Sequence, residues 1–98
     1  MTVYAHLLSQ ALAEDQGPDL PVGDLISSAI AWRESMERSS DAGGRLAAAI
    51  AYDITLVRLC DYYGVAQDLT GPRAGPAARA EVEAALGVFV PALRVGVA

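Results

Sequence analysis

Asp53 is the residue whose type and position most strongly suggest chemistry in this sequence. It lies within a stripe of apolar residues that recur at about 100° per residue, the spacing of one face of a helix. The stripe consists of Leu46, Ile50, Ile54, Val57 and Cys60. An isolated buried carboxylate is costly enough that it takes up a proton or a cationic partner. The sequence therefore predicts a base on a neighbouring helix, close to Asp53.

Arg33 is the base that this pattern indicates. It shares a face with the apolar residues of the preceding helical segment, namely Val22, Leu25, Ile26, Ala29, Ile30 and Met36. If the two helices run antiparallel, Arg33 and Asp53 differ by about 4–5 Å in axial level, at 1.5 Å per residue. We interpret Arg33 and Asp53 as a buried ion pair that sets helix register, with Tyr52 adjoining it as a further candidate residue of the same site. The alternative is a site that binds a ligand carboxylate or transfers a proton.

A second set of residues lies beside the stripe of the same helix: Thr55, Arg58, Leu59 and Tyr62. A mixture of aromatic, aliphatic and arginine side chains is typical of the core of a protein–protein interface. The pattern leaves two interpretations open, an interface with another chain and a packing surface for the last helix.

The other reactive side chains predict neither a metal site nor catalysis. His6 and Cys60 are the single histidine and the single cysteine, whereas zinc sites need several such ligands at short spacings. The helical wheel places His6 away from Leu8 and Leu12, so we expect its ring to be exposed. No phosphate-binding loop or nucleophile elbow is present. We therefore expect no metal, no cofactor and no catalytic residue.

Four helical segments have to position these residues. The periodicity predicts helices over residues 3–14, 22–38, 44–63 and 76–94, with Gly64 as a left-handed cap after the third. Gly87 and Pro91 interrupt the fourth segment, which either kinks there, as we favour, or ends near residue 87. Four helices with short links predict a single all-α domain over residues 1–98, an up-and-down four-helix bundle.

Composition restricts the possible partners. The net charge of −5 and the isoelectric point near 4.5 oppose binding to nucleic acid or to an anionic membrane, because both need a basic surface. The sequence has neither the apolar run of a membrane span nor a signal-peptide pattern, and its lone cysteine suits a reducing compartment, so we expect a cytoplasmic protein.

The hydrophobic fraction of 53% is high for 98 residues and favours a partner surface. We therefore expect a non-catalytic interaction module that associates with itself or with another protein as an adaptor. The alternative is a small ligand-binding protein or enzyme that uses Arg33, Asp53 and Tyr52 on a carboxylate-bearing small molecule.

Overall fold

Four α-helices and a short 3₁₀ helix make up the computed structural model of the chain, which describes residues 3–14, 20–69 and 75–93. The elements, in chain order, are α1 (Val3–Glu14), α2 (Val22–Arg38), α3 (Ala42–Tyr63), α4 (Pro76–Leu86) and the 3₁₀ helix Pro91–Leu93. The described ranges contain no β-strand, and none of their helices has the length and hydropathy needed to cross a membrane. The predicted all-α helical bundle is confirmed.

The ends of α3 follow from two local interactions. Helix α3 begins at Ala42, two residues before the prediction, because Asp41 is its N-cap and accepts a hydrogen bond from the backbone N–H of Gly44. At the other end Gly64 has φ of 69° and donates its backbone N–H to the carbonyl of Cys60. The left-handed C-terminal cap at Gly64 is therefore confirmed.

Helix α4 ends at Leu86, so our preferred version, a kinked helix reaching residue 94, is wrong, and the alternative end near residue 87 is confirmed. Residues 87–89 form a turn in which the N–H of Phe89 bonds to the carbonyl of Leu86 at 2.9 Å. Pro91 has no N–H with which to continue the helical ladder, and it disfavours helical backbone at the residue before it. The chain resumes as the 3₁₀ helix instead.

Helix α3 is the central element, since it packs against α1, α2 and α4. Its most buried side is centred on Tyr52, Leu56 and Leu59, each with no exposed surface. Within the predicted stripe, Asp53 and Cys60 are buried, but Ile50, Ile54 and Val57 are half-buried and Leu46 is 42% exposed. The centre of the buried face is thus rotated by roughly a third of a helical turn from the prediction.

The rest of the core comes from the helices around α3 and from the end of the chain that follows α4. These buried residues are Leu8 of α1, Leu25 and Ala29 of α2, Leu69 of the connection after α3, three residues of α4 (Ala78, Val82 and Leu86), Val90, and Leu93 of the 3₁₀ helix.

Two glycines test the assigned backbone conformations. We expect Gly64→Ala to lower the free energy of unfolding by about 1 kcal/mol, because a left-handed φ strains any residue with a Cβ. Gly23→Ala is the matched control, since Gly23 lies in the first turn of α2 and neither glycine has a heavy atom within 4 Å of its added Cβ. The control should stabilise by about 0.5 kcal/mol. Urea unfolding of both variants measures this, and two effects of the same sign would contradict the assignment of the cap.

Candidate functional site

Asp53 lies at the centre of a polar cluster that links three helices. Its side chain is 1% exposed. Arg79 of α4 donates Nε to Oδ1 and Nη2 to Oδ2, each at 2.8 Å, in a side-on bidentate pair. Tyr4 of α1 donates its hydroxyl to Oδ2 and accepts a hydrogen bond from Arg79 Nη2 at 3.2 Å. The carboxylate is thereby neutralised and hydrogen-bonded from two sides.

Glu83 is the centre of a second cluster. It is 6% exposed, and its Oε2 accepts a hydrogen bond from the hydroxyl of Tyr52. Arg33 Nη1 lies 3.6 Å from the same oxygen. Arg33 also donates Nη1 to the carbonyl of Leu93 at 3.2 Å and Nη2 to the carbonyl of Ala92 at 2.7 Å. Arg33 therefore connects α2 with α4 and with the 3₁₀ helix.

The two clusters form one continuous layer between α3 and α4. Tyr52 and Asp53 are consecutive on α3, and Arg79 and Glu83 are one turn apart on α4, the spacing that places two side chains on the same face. The guanidinium carbon of Arg79 lies 6.0 Å from the centre of the Tyr52 ring. Within this layer two carboxylates face two guanidinium groups, so its formal charge is balanced.

The predicted pair between Arg33 and Asp53 is wrong, because Asp53 pairs with Arg79 and Arg33 with Glu83. The axial levels allowed the pair, but the rotation of α3 turns Asp53 toward α1 and α4 while Arg33 faces the end of α4. Tyr52 belongs to the Arg33 cluster through Glu83 and not to Asp53.

Sequence reasoning missed Tyr4, Arg79 and Glu83. A signal for two of them was available, because Arg79 and Glu83 fall among the buried Val82 and Leu86 at helical spacing. This is the same criterion that selected Asp53. Tyr4 belonged to the apolar stripe of α1, where its hydroxyl did not distinguish it.

The tyrosine hydroxyls are held as permanent hydrogen-bond donors. Burial raises the pKa of Tyr4, and the hydrogen bond to Asp53 and its negative charge raise it further. Burial likewise raises the pKa of Tyr52, with the hydrogen bond to Glu83 and its charge as further causes. The hydrogen bonds with Asp53 raise the pKa of Arg79 despite its burial. The tyrosines and Arg79 are thus held in their protonated forms at neutral pH.

The polar layer also has its hydrogen bonds completed internally. Among the described residues, every buried side-chain nitrogen or oxygen has a hydrogen-bond partner. Arg33, Tyr52 and Asp53 each bond to other groups of the fold, so these three residues are poorly suited to capture a ligand. The geometry therefore fits a structural layer that orients helices, which is one of the two interpretations of Arg33, Asp53 and Tyr52.

Two of the four residues proposed for the interface are inside the domain. Leu59 has no exposed surface, and Thr55 is 7% exposed and donates Oγ1 to the carbonyl of Ala51 at 2.9 Å. Their assignment to an exposed interface is wrong, because a helix packed on three sides buries more than one stripe. Arg58 is half-buried, and Tyr62 is 62% exposed.

Tyr62 begins a surface cluster of rings that we call the aromatic surface: Tyr62, Tyr63, Phe89 and the adjoining Val88. The Tyr62 and Tyr63 rings meet edge to face with centroids 4.9 Å apart, and the Tyr63 and Phe89 rings stack at 4.8 Å. Phe89 is 52% exposed and Val88 is 73% exposed. The packing of α3 against the turn after α4 thus assembles a largely solvent-exposed apolar cluster.

A groove of about 320 Å³ adjoins this surface and is lined by Leu20, Leu25, Arg58, Asp61 and Tyr62. Tyr62 belongs to both the groove and the aromatic surface, and the groove places one basic residue, Arg58, and one acidic residue, Asp61, beside it.

The remaining reactive residues lie apart from each other. His6 is exposed, as its place on the helical wheel indicated. Cys60 is fully buried, and burial together with the nearby charge of Asp61 raises the pKa of its thiol to about 11. Within the described ranges, no three histidine, cysteine or acidic side chains are grouped as ligands for a metal ion.

No protein-family model, curated protein or solved structure matches this chain.

Double-mutant cycles test which base partners Asp53. Asp53→Leu should cost about 3–5 kcal/mol by leaving Arg79 buried without its counter-charge, and the joint change with Arg79→Met should recover much of that loss. The cycle of Asp53→Leu with Arg33→Met is the control and should be close to additive. Urea unfolding of each variant gives the coupling energies. A larger coupling to Arg33 than to Arg79 would contradict the observed geometry.

Alkaline pH tests the tyrosine hydrogen bonds. A tyrosine whose pKa is raised by folding stabilises the folded state. This stabilisation is complete when the pH is below the unfolded pKa of about 10, and it is lost as the pH rises through the folded pKa. The free energy of unfolding should therefore fall above pH of about 10, and fall less steeply in Tyr4→Phe and in Tyr52→Phe. Tyr62→Phe is the exposed control and should follow the unmodified chain. Identical pH dependence in all four proteins would contradict the assigned hydrogen bonds.

Proposed function

We propose that this chain is a non-catalytic interaction module that associates with a second copy of itself through the aromatic surface. The observation that carries the proposal is the contact of the Tyr62, Tyr63 and Phe89 rings, with Tyr62 and Phe89 more than half exposed. Monomeric soluble proteins rarely expose contiguous apolar patches larger than a few hundred Å², and the largest exposed patch is often functional. Aromatic side chains are also the groups most enriched at the energetic centres of interfaces.

The charges beside Tyr62 favour a second copy over an unrelated partner. Arg58 and Asp61 lie on α3 and line the same groove as Tyr62. In a two-fold dimer a contact between two residues of different copies is repeated in the reciprocal sense. A surface that carries one basic and one acidic group beside an aromatic centre has the charge pattern of a self-complementary contact.

The internal polar layer supports a non-catalytic assignment. Arg33, Tyr52 and Asp53 are the residues that the enzyme alternative needed, and each is engaged by another side chain of the fold. We place the module in the cytoplasm, because a free, buried Cys60 suits a reducing compartment.

Size exclusion with light scattering tests the aromatic contact. We expect the chain to dimerise, and Tyr62→Ser combined with Phe89→Ser to weaken dimerisation by roughly thirtyfold or more, the equivalent of about 2 kcal/mol for a lost aromatic anchor. Leu46→Ser is the matched control, since Leu46 is 42% exposed but lies about 24 Å from Tyr62 along α3 at 1.5 Å per residue. A monomer at all concentrations, or equal weakening by Leu46→Ser, would contradict the proposal.

Charge reversal separates a second copy from another partner. Arg58→Asp alone and Asp61→Arg alone should each weaken the homodimer, because like charges then face each other. A mixture of these two variants should form a heterodimer, and a chain that carries both changes should dimerise again. Circular dichroism confirms that each variant is folded. Failure of both complementary combinations would show that Arg58 and Asp61 do not face each other across a two-fold axis.

A further inference from the structure

A second groove lies at the opposite end of α3 from the aromatic surface. It has a volume of about 460 Å³, within the range of small-molecule sites. It is formed by the end of α2, the first half of α3 and one residue of α4. The lining residues are Met36, Ala42, Arg45, Leu46, Ala49 and Arg79.

This lining combines an apolar part with two positive charges. Met36, Ala42, Leu46 and Ala49 contribute hydrocarbon, whereas Arg45 and Arg79 contribute guanidinium groups, and none of the six residues is acidic. The chain as a whole carries a net charge of −5. The groove therefore places two guanidinium groups beside an apolar wall on an acidic protein.

The two arginines present their charge in different ways. Arg79 is 15% exposed and pairs with Asp53 through Nε and Nη2, a side-on geometry that directs Nη1 away from the carboxylate. Arg45 is exposed and donates Nη2 to the carbonyl of Ser39 at 3.1 Å, which is a neutral acceptor. The N-terminus of α3 contributes little, because Asp41 already accepts its Gly44 N–H.

We propose that this groove binds a small organic carboxylate that carries an aliphatic chain. Arg45 and Arg79 hydrogen-bond the carboxylate, and Met36 and Leu46 contact the chain. Asp53 is paired with Arg79 and Asp41 lies one turn before Arg45, so the charge left for a ligand is small and fits a carboxylate better than a doubly charged phosphate. The site differs from the Arg33, Asp53 and Tyr52 site of the sequence analysis and does not depend on self-association.

Calorimetric titration with decanoate, kept below its micelle concentration, tests the proposal. We expect one decanoate per chain and binding of decanol that is weaker by about tenfold or more, since the alcohol lacks the charge. Decyl phosphate should bind no more tightly than decanoate. Perturbed amide signals of Leu46 and Ala49 in NMR spectra should place the ligand in the groove.

Substitutions at exposed residues of the groove test which side chains bind decanoate, and they leave the buried pair of Asp53 and Arg79 in place. Arg45→Gln and Leu46→Ser change exposed residues and should each weaken decanoate binding by about five- to tenfold. Tyr62→Ser is the matched control, because it removes exposed apolar surface at the other end of α3, and it should leave the affinity unchanged. Thermal melts establish that all three variants are folded.

Four results would contradict the proposed carboxylate site. They are the absence of decanoate binding, equal affinity for decanol, tighter binding of decyl phosphate, and affinity that is lost in Tyr62→Ser but kept in Arg45→Gln.

Discussion

Burial of the Asp53 carboxylate is the constraint on which the arrangement of the helices depends. Removing a carboxylate from water is costly, and only a geometrically matched cation with further hydrogen bonds offsets the cost. Arg79 supplies a bidentate pair and Tyr4 supplies a hydroxyl. Because these groups come from α4 and α1, the position of Asp53 on α3 constrains how both helices lie against it.

The Glu83 cluster extends this constraint to α2 and to the end of the chain. Glu83 accepts from Tyr52 and lies near Arg33, whose other hydrogen bonds reach the carbonyls of Ala92 and Leu93. Replacing buried ion pairs with apolar residues is often neutral or stabilising, so such pairs are better explained by specificity than by stability. A sliding or rotated α4 would separate Arg79 and Glu83 from their partners together, which disfavours alternative packings of a core rich in leucine and alanine.

The two proposed binding surfaces lie at opposite ends of α3. At one end the helix contributes Tyr62 and Tyr63 to an exposed aromatic cluster, and at the other it contributes Arg45 and Leu46 to a cationic groove. Leu46 and Tyr62 are about 24 Å apart along α3 at 1.5 Å per residue, and the buried polar layer lies between them. The proposed self-association and the proposed carboxylate site can therefore be tested independently.

The sequence by itself determined the four helical segments and the cap at Gly64, because these features depend on interactions within a few residues along the chain. Periodicity also indicated that Asp53 is buried. The partner of Asp53 was decided by tertiary structure. Periodicity places a residue on one face of its own helix but does not define how that helix is rotated against its neighbours. Since α3 is surrounded, Thr55 and Leu59 became core, Leu46 became surface, and Arg79 replaced Arg33 beside the carboxylate.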